Sequence, residues 1–364
     1  MKVAILELHD YHFDILNSFC KIFEKEIDYI FLNEKALKEL ENKEKYKKII
    51  TLKNKITFFK ALEIVFFINK SQIDFIFMPT IQQHLFFYLF FFIFCNKKTI
   101  VTIHNINTYY VYPSSLKRKI KFFIRKIILI KTFGVNVLGE ELKRELQKKG
   151  FKKLILNIPA RIYKEKNKMV KTNKKFFVIS IPGSFDLKRR DYKIVYNVYK
   201  KLINEGKNIK INFLGNCKTK KKIEHKLLIE FKKIGNIFYK EEFISEKEFF
   251  RKLNESDVLL SPTVIDFEYD GIFEKYGITK QTGFVFTQIQ FAKISIIPQT
   301  LKTYKKLESS TLFYRNEESL YNILLKLYSD KEYKNELQKK AIINSNKFKL
   351  KDIKKDVLKN LNVN

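Results

Sequence analysis

Short runs of β-branched and aromatic residues recur along this chain, and stretches with helical spacing lie between them. Lys2 to Leu8, Asp28 to Leu32, Lys48 to Leu52, Ile73 to Pro79, Thr99 to Ile103, Val135 to Leu138 and Leu154 to Ile158 read as strands. Gln82 to Cys95, rich in Phe, reads as a buried helix. A second series follows: Phe176 to Ile181, Ile209 to Leu214, Ile237 to Phe243, Asp257 to Leu260, Ile294 to Ile297 and Thr311 to Tyr314. Alternation of this kind predicts an α/β fold, with parallel sheets covered on both faces. Ala160 to Lys175 is basic and lacks a sustained apolar pattern, so it reads as a linker. The expected domains are 1–165 and 176–335, with helices over 336–364, and 364 residues suffice for two cores.

In such chains ligands bind beyond the carboxyl ends of the strands. Several of those ends carry polar or glycine-rich residues. The first strand runs into His9-Asp10-Tyr11-His12; the two histidines can orient a sugar or a phosphate, or serve as polar loop residues. Thr99 to Ile103 ends in His104-Asn105. Phe176 to Ile181 runs into Pro182-Gly183, where glycine permits a tight turn, and then Lys188-Arg189-Arg190-Asp191.

The stretch from Ser261 to Pro298 reads as a long polar loop carrying Asp266, Glu268, Asp270 and Glu274, then Gly277 to Gly283, then a helix. With the helix starting near Thr279, free N–H groups and Lys280 would face the strand ends, a setting that suits a phosphate. An ordinary capped helix behind a solvated acidic loop is the alternative.

The net charge of +33 raises nucleic acid as a partner, but only eight of the 72 basic residues are Arg. Lysine lacks the planar fork that base and phosphate recognition exploits. Nucleic acid is therefore not the expected partner; an anionic substrate or an anionic membrane surface fits the charge better. Cys20, Cys95 and Cys217 lie far apart with no metal-ligand spacing, which fits a reducing compartment. No leader-like segment precedes the first strand, and Leu85 to Cys95 is too short to span a bilayer. A cytoplasmic protein that touches the inner face of the cell membrane is the expectation.

Ser114 to Lys131 reads as a basic amphipathic helix. Ile120, Phe123, Ile124, Ile127 and Ile128 form one apolar face, flanked by Lys117, Arg118, Lys119, Lys121, Arg125 and Lys126. That face can pack on the first sheet, or the helix can lie at an anionic lipid interface.

Three segments together resemble GT-B glycosyltransferases, nearest to the retaining family 4 and its relatives: His104-Asn105, Gly183…Arg189-Arg190-Asp191, and Glu274…Tyr276-Gly277…Lys280…Gly283. The resemblance implies two Rossmann-like domains facing a central cleft, the first taking the acceptor and the second a nucleotide-sugar donor. It implies His104 and Glu274 as catalytic residues. Gly183, Arg189, Arg190, Lys280, Thr282 and Gly283 would contact the donor, and His9, His12 and Asn105 the acceptor, a glycan or lipid-linked glycan of surface polysaccharide or lipooligosaccharide synthesis.

The chain departs from the family pattern of Glu, seven residues, Glu: the second position counted from Glu274 is Thr282. Asp266 and Glu274 share that spacing, but there Glu274 precedes the helix. No Asp-x-Asp element ends a suitable strand and no Walker sequence occurs, so no metal and no cofactor are expected, with nucleotide-sugar as substrate. A non-catalytic GT-B-like scaffold, or a basic membrane-surface adaptor, is the competing reading.

Overall fold

The computed structural model describes residues 1–52, 58–165, 175–219, 221–269 and 271–362; most of the expected linker, and Asp270, lie outside them. The central strands are largely apolar because both faces of each sheet are covered. Along β1 (Val3–Glu7), Val3 and Ile5 join one hydrophobic cluster while Ala4 and Leu6 join another. The same alternation divides Phe75 and Phe77 from Ile76 and Met78 in β4 (Phe75–Met78).

With β2 (Ile27–Asn33), β3 (Ile49–Leu52), β5 (Lys98–Ile103), β6 (Gly134–Val137) and β7 (Leu154–Leu156), these form a parallel sheet. Its order is β3-β2-β1-β4-β5-β6-β7. On one face lies α1 (Phe13–Ile22). On the other lie α3 (Phe58–Lys70), α4 (Leu85–Phe94), α6 (Leu116–Lys131) and α7 (Glu140–Lys148). The short helices α2 (Glu34–Glu39) and α5 (Asn107–Tyr110) complete this half.

The second half repeats the plan. Strands β8 (Phe177–Pro182), β9 (Ile209–Asn216), β10 (Ile237–Lys240), β11 (Val258–Leu260), β14 (Ile294–Pro298) and β15 (Thr311–Tyr314) pair in parallel in the order β10-β9-β8-β11-β14-β15. Helices α8 (Tyr192–Asn204), α9 (Lys222–Ile234), α10 (Glu246–Glu255), α11 (Gly283–Phe291), α12 (Glu317–Ser329) and α13 (Lys331–Asn346) surround it. Asp191 starts α8 by accepting from the N–H groups of Lys193 and Ile194. In both sheets the strand order reverses once, between β1 and β4 and between β8 and β11, and these reversals open the crevices where ligands of such folds bind.

The halves share apolar surface. Val285, Phe286 and Ile289 of α11 pack in the same cluster as Leu16 and Phe19 of α1. The last helix, α14 (Leu350–Asn360), places Ile353 and Val357 there too and lies against α1 and β7.

Two sequence expectations are corrected. The polar loop after β11 contains an antiparallel hairpin, β12 (Asp266–Tyr269) and β13 (Ile272–Lys275). Its charged residues are interspersed with Phe267, Ile272 and Phe273, and Gly271, with φ of +70°, stands at the bend. The apolar residues of α6 form two stripes rather than one face: Ile124 and Ile128 are buried, whereas Ile120, Phe123 and Ile127 are exposed. Arg125 is not on the cationic flank, because its guanidinium is buried 5.9 Å from the centre of the Tyr109 ring.

Candidate active site at the facing strand ends

The carboxyl ends of β1, β4 and β5 supply one wall of the site. β5 ends at Ile103, so His104 follows directly, buried, with Nε2 3.1 Å from the Pro79 carbonyl and 3.3 Å from Thr80 Oγ1 beyond β4. A carbonyl only accepts, so Nε2 carries the proton and Nδ1 the lone pair. Burial first, and then His12, push the pKa of His104 well below the ordinary imidazole value, so the ring is neutral at pH 7.

The His12 ring lies tilted against it with ring centres 4.5 Å apart, and His9 stacks on His12 at 5.7 Å. His12 opens to solvent yet titrates low, removal from bulk water acting first and His9 and Lys280 next. Behind them Glu7, at the end of β1, is fully buried, and its carboxyl is pushed up by that burial. One oxygen accepts from the His9 N–H at 2.7 Å; the other, Oε2, has no partner. Among the described residues no group of three or more His, Cys, Asp or Glu is placed to hold a metal ion.

The facing wall comes from β13 and the turn after it. The helix expected near Thr279 starts four residues later, at Gly283. Tyr276 to Lys280 instead form a turn in which the Gly277 N–H donates to the Lys280 carbonyl at 2.7 Å and Lys280 N–H to the Lys275 carbonyl at 3.2 Å. Gly277 takes φ of +81°, and a Cβ there would lie 2.7 Å from the Lys302 backbone, so glycine fits this turn where other residues do not.

The turn delivers Lys280 across the cleft. Its ammonium donates to Asn105 Oδ1 at 2.5 Å, and the two residues form an antiparallel backbone bridge. Ile106 N–H donates to the Thr279 carbonyl at 2.9 Å, and Asn107 Nδ2 to the Phe273 carbonyl at 2.7 Å. These bonds hold the two halves together at the floor of the site.

Burial lowers the Lys280 ammonium to about 8, against the opposing pull of Glu274 and with some help from Arg189. Glu274, on β13, is fully buried, and burial raises its carboxyl. Its Oε2 accepts weakly from the Asn107 N–H at 3.4 Å and its Oε1 has no partner. A buried carboxyl oxygen left unpaired is costly. Next to Lys280, Thr282 caps α11, its Oγ1 accepting from the Phe284 N–H at 3.3 Å. Nothing lies within 4 Å of a Cβ built on Gly283, so the helix N-terminus faces open space.

The third segment lies at the β8 end. Gly183 has φ of +103°, and Gly215, at the end of β9, packs so closely that a Cβ on it would meet the Gly183 carbonyl carbon at 2.3 Å. The two arginines differ. Arg190 donates from Nη1 to the Ser184 carbonyl at 2.8 Å and from Nη2 to the Pro182 carbonyl at 3.2 Å, so it holds the Gly183 turn. Arg189 instead lies over the Phe267 ring at 4.6 Å, half exposed, with Asp186 at 3.5 Å. Arg190→Ala is expected to lower the melting temperature, since it leaves two carbonyls of the turn unpaired. Arg189→Ala should leave stability within about 0.5 kcal/mol of the parent, as surface changes do. Thermal unfolding of both variants reads the difference.

His104, His12, Asn105, Lys280 and Glu274 thus gather at one place, with Thr282 and Gly283 adjoining. Glu7, Thr80, Asn107 and Gly215 belong to the same framework and were not singled out by the sequence as site residues. Glu7 had a usable signal: one carboxylate ending an otherwise apolar strand.

No family model and no curated protein matches this sequence. Solved structures do match in three dimensions. Anabaena Alr3699/HepE, crystallised in complex with UDP, superposes with a TM-score of 0.71 at 10% identity, over 100% of both chains. UDP-GlcNAc 2-epimerase from Neisseria meningitidis bound to UDP-GlcNAc gives 0.64 at 12%, over 99% of each chain. A glycosyltransferase from Rickettsia africae ESF-5 gives 0.63 at 15%, over 98% of this chain and 97% of that one. Together with the two parallel sheets, these matches define the architecture: the chain has the two-domain, Rossmann-like GT-B fold.

Proposed function

We propose that this chain is a glycosyltransferase that moves a sugar from a UDP-sugar to a glycan or lipid-linked glycan acceptor in surface polysaccharide or lipooligosaccharide synthesis. The observation that carries the reading is Lys280, sent from the second half to Asn105 beside His104, where the ends of the two sheets face each other. The uridine nucleotide is taken from the structural neighbours, HepE with UDP and with UDP-glucose and the epimerase with UDP-GlcNAc.

As the glycosidic bond to the diphosphate breaks, negative charge grows on the leaving oxygen. Fixed cations and N–H groups in a water-poor cleft stabilise that charge without reorganising. Lys280, Arg189 and the N-terminus of α11 at Thr282 and Gly283 take this role, in place of a divalent ion. Glu274 accepts from a hydroxyl of the donor sugar through its unpaired Oε1, and neutral His104, with Asn105, lines the sugar from the opposite wall. His9 and His12 border the acceptor side. A retaining outcome follows from the resemblance to family 4, with Thr282 replacing the second glutamate, so that ribose recognition falls to other groups.

Lys280 also gives a pH prediction. Only the protonated ammonium neutralises a diphosphate. In the donor-free protein it titrates near 8, so UDP dissociation constants are expected to rise about tenfold per pH unit above that value. Lys280→Arg keeps its charge there and should flatten this limb. Calorimetric titrations from pH 7 to 9.5 measure both.

The function itself is tested by incubating the protein with UDP-, GDP- and ADP-sugars and following the sugar and nucleotide by NMR. Release of UDP, with the sugar moved to water or to an added glycan, supports the proposal. Conversion of UDP-GlcNAc to its C2 epimer without UDP release would place the chain with the epimerases of this fold instead. No change in any donor would leave the non-catalytic scaffold.

A further inference from the structure

The first sheet is covered on one side by α3, α4 and α6, with α4 packed between the other two. Helix α4, Leu-Phe-Phe-Tyr-Leu-Phe-Phe-Phe-Ile-Phe, holds no charged residue, so burying one side leaves apolar residues on the other. Phe87, Tyr88, Phe91 and Phe92 face inward, while Phe86, Ile93 and Phe94 are 46–61% exposed. On α6 the outer stripe, Leu116, Ile120, Phe123, Ile127 and Ile130, steps by four and three residues along the whole helix. On α3, Phe66 is 62% exposed beneath the Lys70 ammonium, 4.1 Å from its ring centre. Three adjoining helices therefore present one broad apolar surface, an arrangement that marks an interaction site.

The charges around it say what covers it. The three helices carry a single acidic residue, Glu63, paired with Lys60 at 2.7 Å. Lys117, Lys119, Lys121, Lys126 and Lys131 of α6, Lys70 of α3 and Lys97 after α4 supply cations. Two copies meeting through this surface would bring their lysines together, and a like-signed face opposes that pairing. An anionic bilayer supplies the opposite charge at its headgroups and an apolar layer just beneath, matching both parts of the surface. No helix among the described residues is long and apolar enough to cross a membrane, so contact through this surface would be at the interface.

The surface also leads to the cleft. The Tyr112 ring meets the Phe122 and Phe123 rings at 5.6 and 6.2 Å, and Arg118 packs against Gly271 at the tip of the β12–β13 hairpin, whose Phe273 is exposed.

We propose that α3, α4 and α6 form a lipid-docking face that seats this protein on an anionic bilayer, with aromatic side chains in the interface and lysines on the headgroups. This inference stands independently of the donor chemistry, because its test needs no turnover.

The chain contains no Trp, so Phe123→Trp introduces a single fluorescent reporter on the outer stripe. With vesicles of phosphatidylcholine and phosphatidylglycerol at low salt, its emission is expected to shift to the blue and to be quenched by brominated acyl chains. Vesicles of phosphatidylcholine alone should bind at least tenfold more weakly. A Phe86→Gln, Phe94→Gln, Phe123→Gln variant, checked for an unchanged melting temperature and circular dichroism spectrum, should lose at least tenfold in binding to the anionic vesicles. Three results would overturn the proposal: no sedimentation with anionic vesicles at low salt, equal binding by the glutamine variant, or unshifted emission on saturated vesicles. A vesicle-free dimer that the glutamine substitutions dissolve would also overturn it, since a second copy would then be the occupant.

Discussion

Replacing Lys280 by methionine is expected to lower kcat/KM for the UDP-sugar by on the order of 10²–10³, about 3–4 kcal/mol of transition-state stabilisation. The residue's setting explains the size. Its ammonium is largely removed from water, which strengthens its action on a neighbouring diphosphate and simultaneously lowers its own pKa to about 8. The same burial disfavours the charged form in the donor-free protein. Methionine keeps most of the stem's packing and removes a charge that burial disfavours, which offsets the lost bond to buried Asn105, so the melting temperature should fall by no more than a few degrees. A loss of activity accompanied by a large fall in melting temperature would make Lys280 a structural tie between the halves rather than a donor-binding group. Full activity would remove it from the site.

The second large effect is on the framework that shapes the donor side. Gly215→Ala is expected to destabilise the protein by about 2–3 kcal/mol, several degrees in melting temperature, and to abolish tight donor binding. A Cβ at this position would lie 2.3 Å from the Gly183 carbonyl carbon and 2.6 Å from the Ser184 nitrogen. Backbone cannot swing aside as a flexible side chain does, so β8 and β9 must part at their ends. The Gly183 turn and the Arg190 bonds to Pro182 and Ser184 move with them. Circular dichroism melting and UDP titration read the two consequences; an alanine variant with the parent's melting temperature would show that the turn yields freely.

The parallel strands were legible in the sequence for a simple reason: buried on both faces, they are nearly unbroken apolar runs, such as Thr99 to Ile103. The β12–β13 hairpin was hidden because its carboxylates made it look like a solvated loop. The helix start was placed too early for a related reason. Ile278-Thr279-Lys280 can begin a helix by composition, but the left-handed Gly277 and the bond between Asn105 and Lys280 hold those residues as a turn.

For α6 a single amphipathic face was expected, and the sequence could not separate the inner Ile124 and Ile128 from the outer Phe123 and Ile127. That division depends on where α4 sits. The sequence offers His104, Glu274 and Lys280 as candidates by type and position, but not their contacts. Asn105 and Lys280 are 175 residues apart, and no local pattern foretells a bond across that distance. Arg189 and Arg190 looked equivalent as neighbours in sequence; strand β8's end turned one onto carbonyls and left the other over Phe267.

Lys280 and the facing strand ends are proposed to form a UDP-sugar site. Calorimetric titration of UDP into the wild-type protein and into Lys280→Met at pH 7 tests it most directly. Saturable binding by wild type at one site per chain, weakened at least 100-fold in the variant, is the predicted result. Equal UDP affinity in the two proteins, or no binding by wild type, would contradict it.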